Sequence, residues 1–425
     1  MNNIHFSYKL LFFWLFFIIL FSSSYVFFKT PFEFYFHYIF FIALTPVFIL
    51  KYGIPKLLPK LLLIPLLIGL IHVAIGNNNA FTFVKIFGGL SLTILFFYHI
   101  LFLQSFDVKK LFYWYCKCCY LLSFIGVIQI FSFLIGFKFG YDFSWILNKW
   151  GVIHGGLIGI RVNSILSEPS QLGIVLSPAL YVAINNLVSK TNIIINKIQS
   201  VIILVVVILT TSSVAYIGLL ICILLVFNTL KFRFLIIGLS ISLLMFNISY
   251  QYVDDFRLRV DAARGLWIEN DFKISNTNNS SFVLYNNLHI AAENLKSYPI
   301  FGTGLGSHET AFKNHTLTNT IINYDFEFNV KDGNSLLIRL CTETGLFGVI
   351  FVLLLCAKSF IINNNISNET EISDFKLISQ AIFVLIILSL IRQGNYMLNG
   401  LPLMFLIYYF NFKGYKEYLL KNSQS

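Results

Sequence analysis

Residues 10–28 read LLFFWLFFIILFSSSYVFF. No charge interrupts them, and as a helix they reach across the roughly 30 Å hydrocarbon layer of a bilayer. The stretch follows Lys9 and has the apolar look of a secretion signal, but it lacks a small-residue cleavage site and another apolar run follows at once. It therefore reads as a retained helix. Residues 57–76, LLPKLLLIPLLIGLIHVAIG, repeat the theme, as do several later runs. The chain is 57% hydrophobic and only 12% charged, against about 25% charged in soluble domains. Such a chain cannot cover itself with polar side chains, so lipid is its solvent. The runs are continuous rather than alternating, which favours helices over a transmembrane barrel.

This patterning predicts an all-α polytopic membrane protein of about twelve spans: 8–28, 34–51, 57–76, 82–103, 116–137, 170–189, 195–210, 213–230, 234–251, 336–357, 376–393 and 396–412. Residues 1–251 form the first nine helices, with an outer loop at about 138–169. Residues 252–335 form a large outer loop before the tenth helix, and 336–425 carry the last three helices and a tail. With the N-terminus in the cytoplasm, the short inner connections hold Lys51, Lys56, Lys60, Lys109, Lys110, Lys117, Lys190, Lys197, Lys231, Arg233, Lys358 and Lys376. The tail adds Lys413, Lys416 and Lys421, placing the C-terminus inside too. Short outer connections hold only Lys29, Lys85 and Arg392. This is the positive-inside pattern. It also accounts for the formal charge of +11 without nucleic acid as a partner. The six cysteines lie in or beside apolar runs, which speaks against an outer disulfide framework and against a zinc site.

Four polar clusters break the apolar background. Arg161 precedes Ser167-Glu168-Pro169-Ser170, which is either a capped helix start or a carboxylate and arginine employed at the membrane boundary. Arg257, Arg259 and Arg264 either meet lipid headgroups or clamp a diphosphate through planar bidentate donors. Tyr298–His308 is glycine-rich, with Gly302, Gly304 and Gly306. It reads as a structural turn or as backbone opened to a sugar or phosphate; no strand precedes it, so a dinucleotide loop is excluded. Lys331-Asp332-Gly333-Asn334-Ser335 leads into Arg339 and Glu343, an i, i+4 pair that either self-neutralises or serves a site. Arg392 either joins that vestibule or snorkels. Between these clusters, 282–297 is helical by pattern, with Tyr285, Leu288, Ala292 and Leu295 on one face and Asn286, His289 and Glu293 on the other. No phosphate-binding loop, His-Glu-x-x-His or Asp-x-Asp is present, so no metal is assigned, Asp254 and Asp255 being directly adjacent.

Together these clusters resemble the O-antigen polymerase/ligase superfamily of bacterial inner membranes. Arg161…Ser-Glu-Pro-Ser-Gln-Leu-Gly173 is similar to a segment of the polymerase (Wzy) branch. Pro299-x-x-Gly302-x-Gly304-x-Gly306-Ser307, Asp332-Gly-Asn-Ser335 and Glu343-Thr-Gly345 resemble the stretch around the last large periplasmic loop in both branches. The ligase branch carries a histidine where Lys331–Asn334 stands here, which favours polymerase over ligase. The resemblance implies a glycosyltransferase that moves a growing glycan from undecaprenyl diphosphate onto a lipid-linked repeat unit at the periplasmic face, needing no cofactor. Membrane lipid and a chain-length regulator are the implied partners, and the glycan is a lipopolysaccharide or capsule. Glu168, Arg161, Asp332, His289 and His308 are then the candidate catalytic residues. Arg257, Arg259, Arg264, Arg339, Arg392, Gly304, Gly306 and Asn334 are the candidate substrate contacts. A flippase for the same lipid is a rival of another class, disfavoured by the heavy outer loop and the lack of internal repeats.

Overall fold

A computed structural model describes residues 2–30, 32–189, 192–227, 254–269, 279–320, 329–362 and 370–422, with isolated positions between 240 and 252. Among them the regular structure is helical apart from one two-stranded hairpin and an isolated bridge between His154 and Ile160, which lies in the irregular loop before residue 169. Six helices among the described residues are long and apolar enough to cross a membrane, the mark of a multi-pass membrane protein. They are α3 (Leu57–Ala74), α4 (Ala80–Leu103), α5 (Val108–Leu134), α7 (Pro169–Ser189), α13 (Leu336–Ser359) and most of α14 (Thr370–Arg392). Shorter apolar segments lie in α1 (Asn2–Phe21), α2 (Tyr38–Tyr52), α8 (Lys197–Leu209) and α9 (Ser213–Phe227). A single turn, α6 (Lys138–Tyr141), follows α5, and α15 (Leu401–Asn422) ends the chain. The expected ninth span, 234–251, lies for the most part outside the described residues.

The centre of the bundle is α7, which packs on α8, α9 and α14. Gly173 lets α7 meet α9 almost backbone to backbone, since a Cβ there would stand 2.5 Å from that of Ala215. Small residues serve helix contact in this way where lipid offers no hydrophobic drive. Pro178 lacks the N–H that Ile174 would otherwise receive, and the Ser177 hydroxyl takes that carbonyl instead at 2.7 Å. Tyr115 of α5 donates to the next carbonyl, Val175, also at 2.7 Å. A proline in the most buried helix thus leaves no carbonyl unpaired there. By contrast, α3 exposes Leu63, Leu67, Leu70 and Ile71, an apolar surface suited to lipid.

Several expected boundaries move. The first helix stops at Phe21, where Ser22-Ser23-Ser24 interrupts it. Val26–Phe28 (β1) instead pairs antiparallel with Phe34–Tyr35 (β2), with Val26 opposite Tyr35 and Phe28 opposite Phe34. Aromatic residues suit a pleated pair better than a further helical turn, and the Phe28 and Phe34 rings stack at 4.9 Å. The fifth helix begins earlier than expected, at Val108, because Asp107 caps it by accepting from the Lys110 N–H at 2.9 Å.

The segment after 252 carries its own helices: α10 (Asp254–Trp267), α11 (Asn279–Ser297) and α12 (His308–His315). Helix 282–297 forms as expected, but its buried face differs from the apolar stripe. Val283, Asn286, Asn287, Ile290, Ala291 and Asn294 are buried, whereas Leu288 and Ala292 are exposed. Amides win because each finds partners. Asn287 takes the Val283 carbonyl, Asn294 takes the Thr342 carbonyl at 3.0 Å, and Asn286 accepts from the Leu317 N–H at 2.8 Å.

Candidate functional site

Two of the motifs lock onto each other. Gly345 lies inside α13 at φ 59° and ψ −157°, which breaks the helix and strands the carbonyls and N–H groups around it. The glycine-rich loop supplies their partners. Thr303 N–H donates to the Thr342 carbonyl and Gly304 N–H to that of Glu343, while Leu346 and Phe347 donate to the carbonyls of Pro299 and Ile300. A Cβ at Gly302 would stand 2.6 Å from the Thr342 oxygen, and one at Gly345 2.5 Å from the Gly302 nitrogen. Gly304 and Gly306 press on α3 and α4, with Gly69 and Thr82 backbone atoms within about 3 Å of a Cβ placed there. These glycines therefore open backbone to backbone. His308 stands behind this lock, fully buried, with Nδ1 3.1 Å from the Thr342 hydroxyl and Nε2 2.9 Å from Asn287 Oδ1. Burial, and then the positive charge of Arg339, push its pKa down to about 3. It is a neutral structural histidine.

The lock holds Arg339 and Glu343 in place. Arg339 Nε donates to Glu343 Oε1 at 2.8 Å with both side chains buried, and Nη1 donates to the Gly394 carbonyl at 2.8 Å. The Tyr396 ring lies 4.2 Å from the guanidinium, and its hydroxyl donates to Glu343 Oε2 at 3.0 Å. A buried pair needs this kind of enclosure to offset desolvation.

Above the pair opens a cavity of about 1100 Å³. Its walls come from the β1–β2 hairpin, the start of α2, the first half of α4, the loop before α7, the loop before α13 and the end of α14. Lys29, Lys85, Lys149, Lys313, Lys331, Arg339 and Arg392 outnumber Glu33, Glu168, Glu309 and Asp332 along it. Lys29, Lys85, Lys331 and Arg392 have no carboxylate within ion-pair distance among the described residues. Between α2 and α4 the wall turns apolar, with Phe41, Ile42, Val84, Ile86 and Leu92. Gly88 lies there with open space where a Cβ would be.

Of the expected site residues, Glu168, Asp332, Asn334, Arg339 and Arg392 line this one cavity. Asp332 Oδ1 is held by the Asn329 side chain at 2.9 Å and the Asn334 N–H at 3.1 Å. Asn334 has a left-handed backbone (φ 58°), is 7% exposed, and its Nδ2 has no hydrogen-bond partner among the described residues. Glu168 accepts from the Ser170 hydroxyl at 2.9 Å.

The remaining candidates lie elsewhere. Arg161 does not meet Glu168; its Nε donates to Thr210 O and Thr211 Oγ1, tying the loop to the α8–α9 turn. Arg257 pairs with Asp254 and Arg264 with Glu269 on the exposed α10, away from the cavity lining. Arg259 lies in α10, its side chain outside the described residues. His289 is half-buried on α11 and does not line the cavity.

Sequence reasoning passed over Glu33 and Lys149. Lys149 Nζ lies 2.5 Å from Glu33 Oε2 and 2.7 Å from the Tyr35 hydroxyl, which itself donates to Glu33. Burial opposes ionisation of Glu33, but the hydrogen bonds of Lys149 and Tyr35 and the charges of Lys149 and Lys331 outweigh it. Its carboxyl therefore sits below the ordinary range. No His, Cys, Asp and Glu group of metal-binding size occurs among the described residues. No protein-family model matches the chain, and no curated protein is detectably similar to it.

Proposed function

We propose that the chain is an oligosaccharide repeat-unit polymerase of a bacterial inner membrane, with about twelve spans, its cavity facing the periplasm and both termini in the cytoplasm. It extends a glycan carried on undecaprenyl diphosphate. The observation that carries this reading is the cavity itself. It combines cations that have no carboxylate partner among the described residues, carboxylates, and an apolar wall between α2 and α4. A lipid-linked diphosphate sugar needs all three: cations for the phosphates as the leaving group departs, a carboxylate for the attacking hydroxyl, and an apolar surface for the lipid. Diphosphate binding falls to Arg392, Lys85, Lys331 and Asn334. Arg257 and Arg264, held in ion pairs on exposed α10, are left to a separate surface role.

The test is surface polysaccharide chain length in a strain lacking the gene and in the same strain complemented. The reading predicts single repeat units without the gene and a ladder with it. Full-length polymer stranded on lipid diphosphate would make it a ligase, and single repeats trapped on the cytoplasmic leaflet a flippase. An unchanged ladder would remove the reading.

A further inference from the structure

The geometry points to Glu33 as the base that takes the proton of the attacking sugar hydroxyl, with Lys149 and Tyr35 as the residues that position it. This deepens the polymerase reading and rests on it.

The cavity has four acids, and three are committed to their own neighbourhoods. Asp332 ties its turn through Asn329 and the Asn334 N–H. Glu309 pairs with Lys313 one turn along α12. Glu168 accepts from Ser170, two residues away at the α7 start. Glu33 differs, because a residue 116 positions distant holds it: Lys149, whose ammonium also lies 5.0 Å from the Tyr35 ring centroid. The backbone fixes that partner in turn. Lys149 N–H donates to the Ser24 carbonyl at 3.0 Å, and the Asn148 side chain exchanges two hydrogen bonds with the Val26 backbone. Glu33 is thus a carboxylate locked in direction yet 42% exposed to the cavity. Glu33 feels the charge of Lys331, another residue of the cavity lining. A fixed carboxylate facing a cation set is the arrangement a displacement at an anomeric carbon needs.

In the step itself, the acceptor hydroxyl oxygen forms a bond to the anomeric carbon of the donor glycan. The bond from that carbon to the diphosphate oxygen breaks, its electron pair leaves with the diphosphate, and the cations receive it. The hydroxyl proton passes to Glu33 and then to water. No oxidant, reductant or further reactant enters.

The experiment uses the full chain in lipid vesicles with a radiolabelled lipid-diphosphate-linked repeat unit, reading rates of extension. Glu33→Gln keeps the size of the side chain and should lower kcat by at least about 100-fold, with KM changed little. Glu33→Asp should return part of the rate. The exchange of Glu33→Lys with Lys149→Glu restores an ion pair without returning a carboxylate to position 33, and should stay inactive. Lys149→Arg should keep more activity than Lys149→Met. All variants must elute as the unaltered protein does from a sizing column. Undiminished extension by Glu33→Gln, or recovery by the exchanged pair, overturns the role of Glu33 alone. No extension by the unaltered protein overturns the polymerase reading and this assignment with it.

Discussion

Replacing Glu343 by alanine should be among the most damaging single changes in the bundle. Arg339 is 2% exposed and Glu343 not at all, so the carboxylate is the counter-charge of a guanidinium with almost no access to water. Glu343 also accepts from Tyr396. Removing it strands a buried cation at about 3–5 kcal/mol, and an orphaned hydroxyl at about 1–3 kcal/mol. The two costs overlap, because the vacated space lets Tyr396 and Arg339 readjust together, so about 3–5 kcal/mol is the expected total. Combining Glu343→Ala with Arg339→Met removes the stranded charge. The double variant should therefore be more stable than Glu343→Ala alone by about 2 kcal/mol, since apolar replacement of a buried pair is often near neutral. Equilibrium unfolding in mixed detergent micelles, followed by tryptophan fluorescence, reads both. A Glu343→Ala cost under about 1 kcal/mol, or a double variant equal to the sum of the singles, would refute the view that this pair depends on mutual neutralisation.

Three further outcomes follow from the geometry. Gly345→Ala puts a Cβ against the Gly302 backbone at a φ that alanine rarely adopts, so a loss of about 1–3 kcal/mol or more is expected in the same assay. His308 is buried neutral with a pKa near 3, so between there and about 6.5 the unfolded chain binds a proton that the folded one does not. Stability should rise with pH across that window by up to about 1.4 kcal/mol per unit, and His308→Gln should flatten the dependence. Asn334→Gly keeps the left-handed backbone and removes an amide whose Nδ2 has no partner among the described residues. It should leave stability within about 1 kcal/mol while weakening binding of the lipid-linked substrate, measured by retention on vesicles.

The membrane character was legible because apolar run length is a direct physical requirement of the bilayer. Loop charge also said more than it first seemed to. Lys29, Lys85 and Arg392 were the basic residues that broke the charge asymmetry, and all three line the cavity. Such exceptions were a usable signal for the site. The glycine motif and Glu343-Thr344-Gly345 were visible as motifs, but that one repairs the helix break made by the other depends on backbone angles that sequence does not print. Arg161 and Glu168 are close in sequence and were grouped as one cluster on that ground; the chain between them turns so that Arg161 meets the α8–α9 turn. The buried amide face of α11 misled the apolar-stripe rule because asparagine is polar only until its partners are known. Glu33 could not be found, since its partner Lys149 lies in a loop with no periodicity to place it.

The most direct test of the central claim compares two sets of substitutions in the complemented strain, reading polysaccharide chain length on a gel. Lys85, Lys331 and Arg392 line the cavity, whereas Lys56, Lys60 and Lys110 are exposed and stand outside it. Changing the first three to methionine should collapse the ladder to single repeat units, and changing the second three to glutamine should leave a ladder. A full ladder from the cavity set, with the protein present in the membrane at its usual level, would contradict the account.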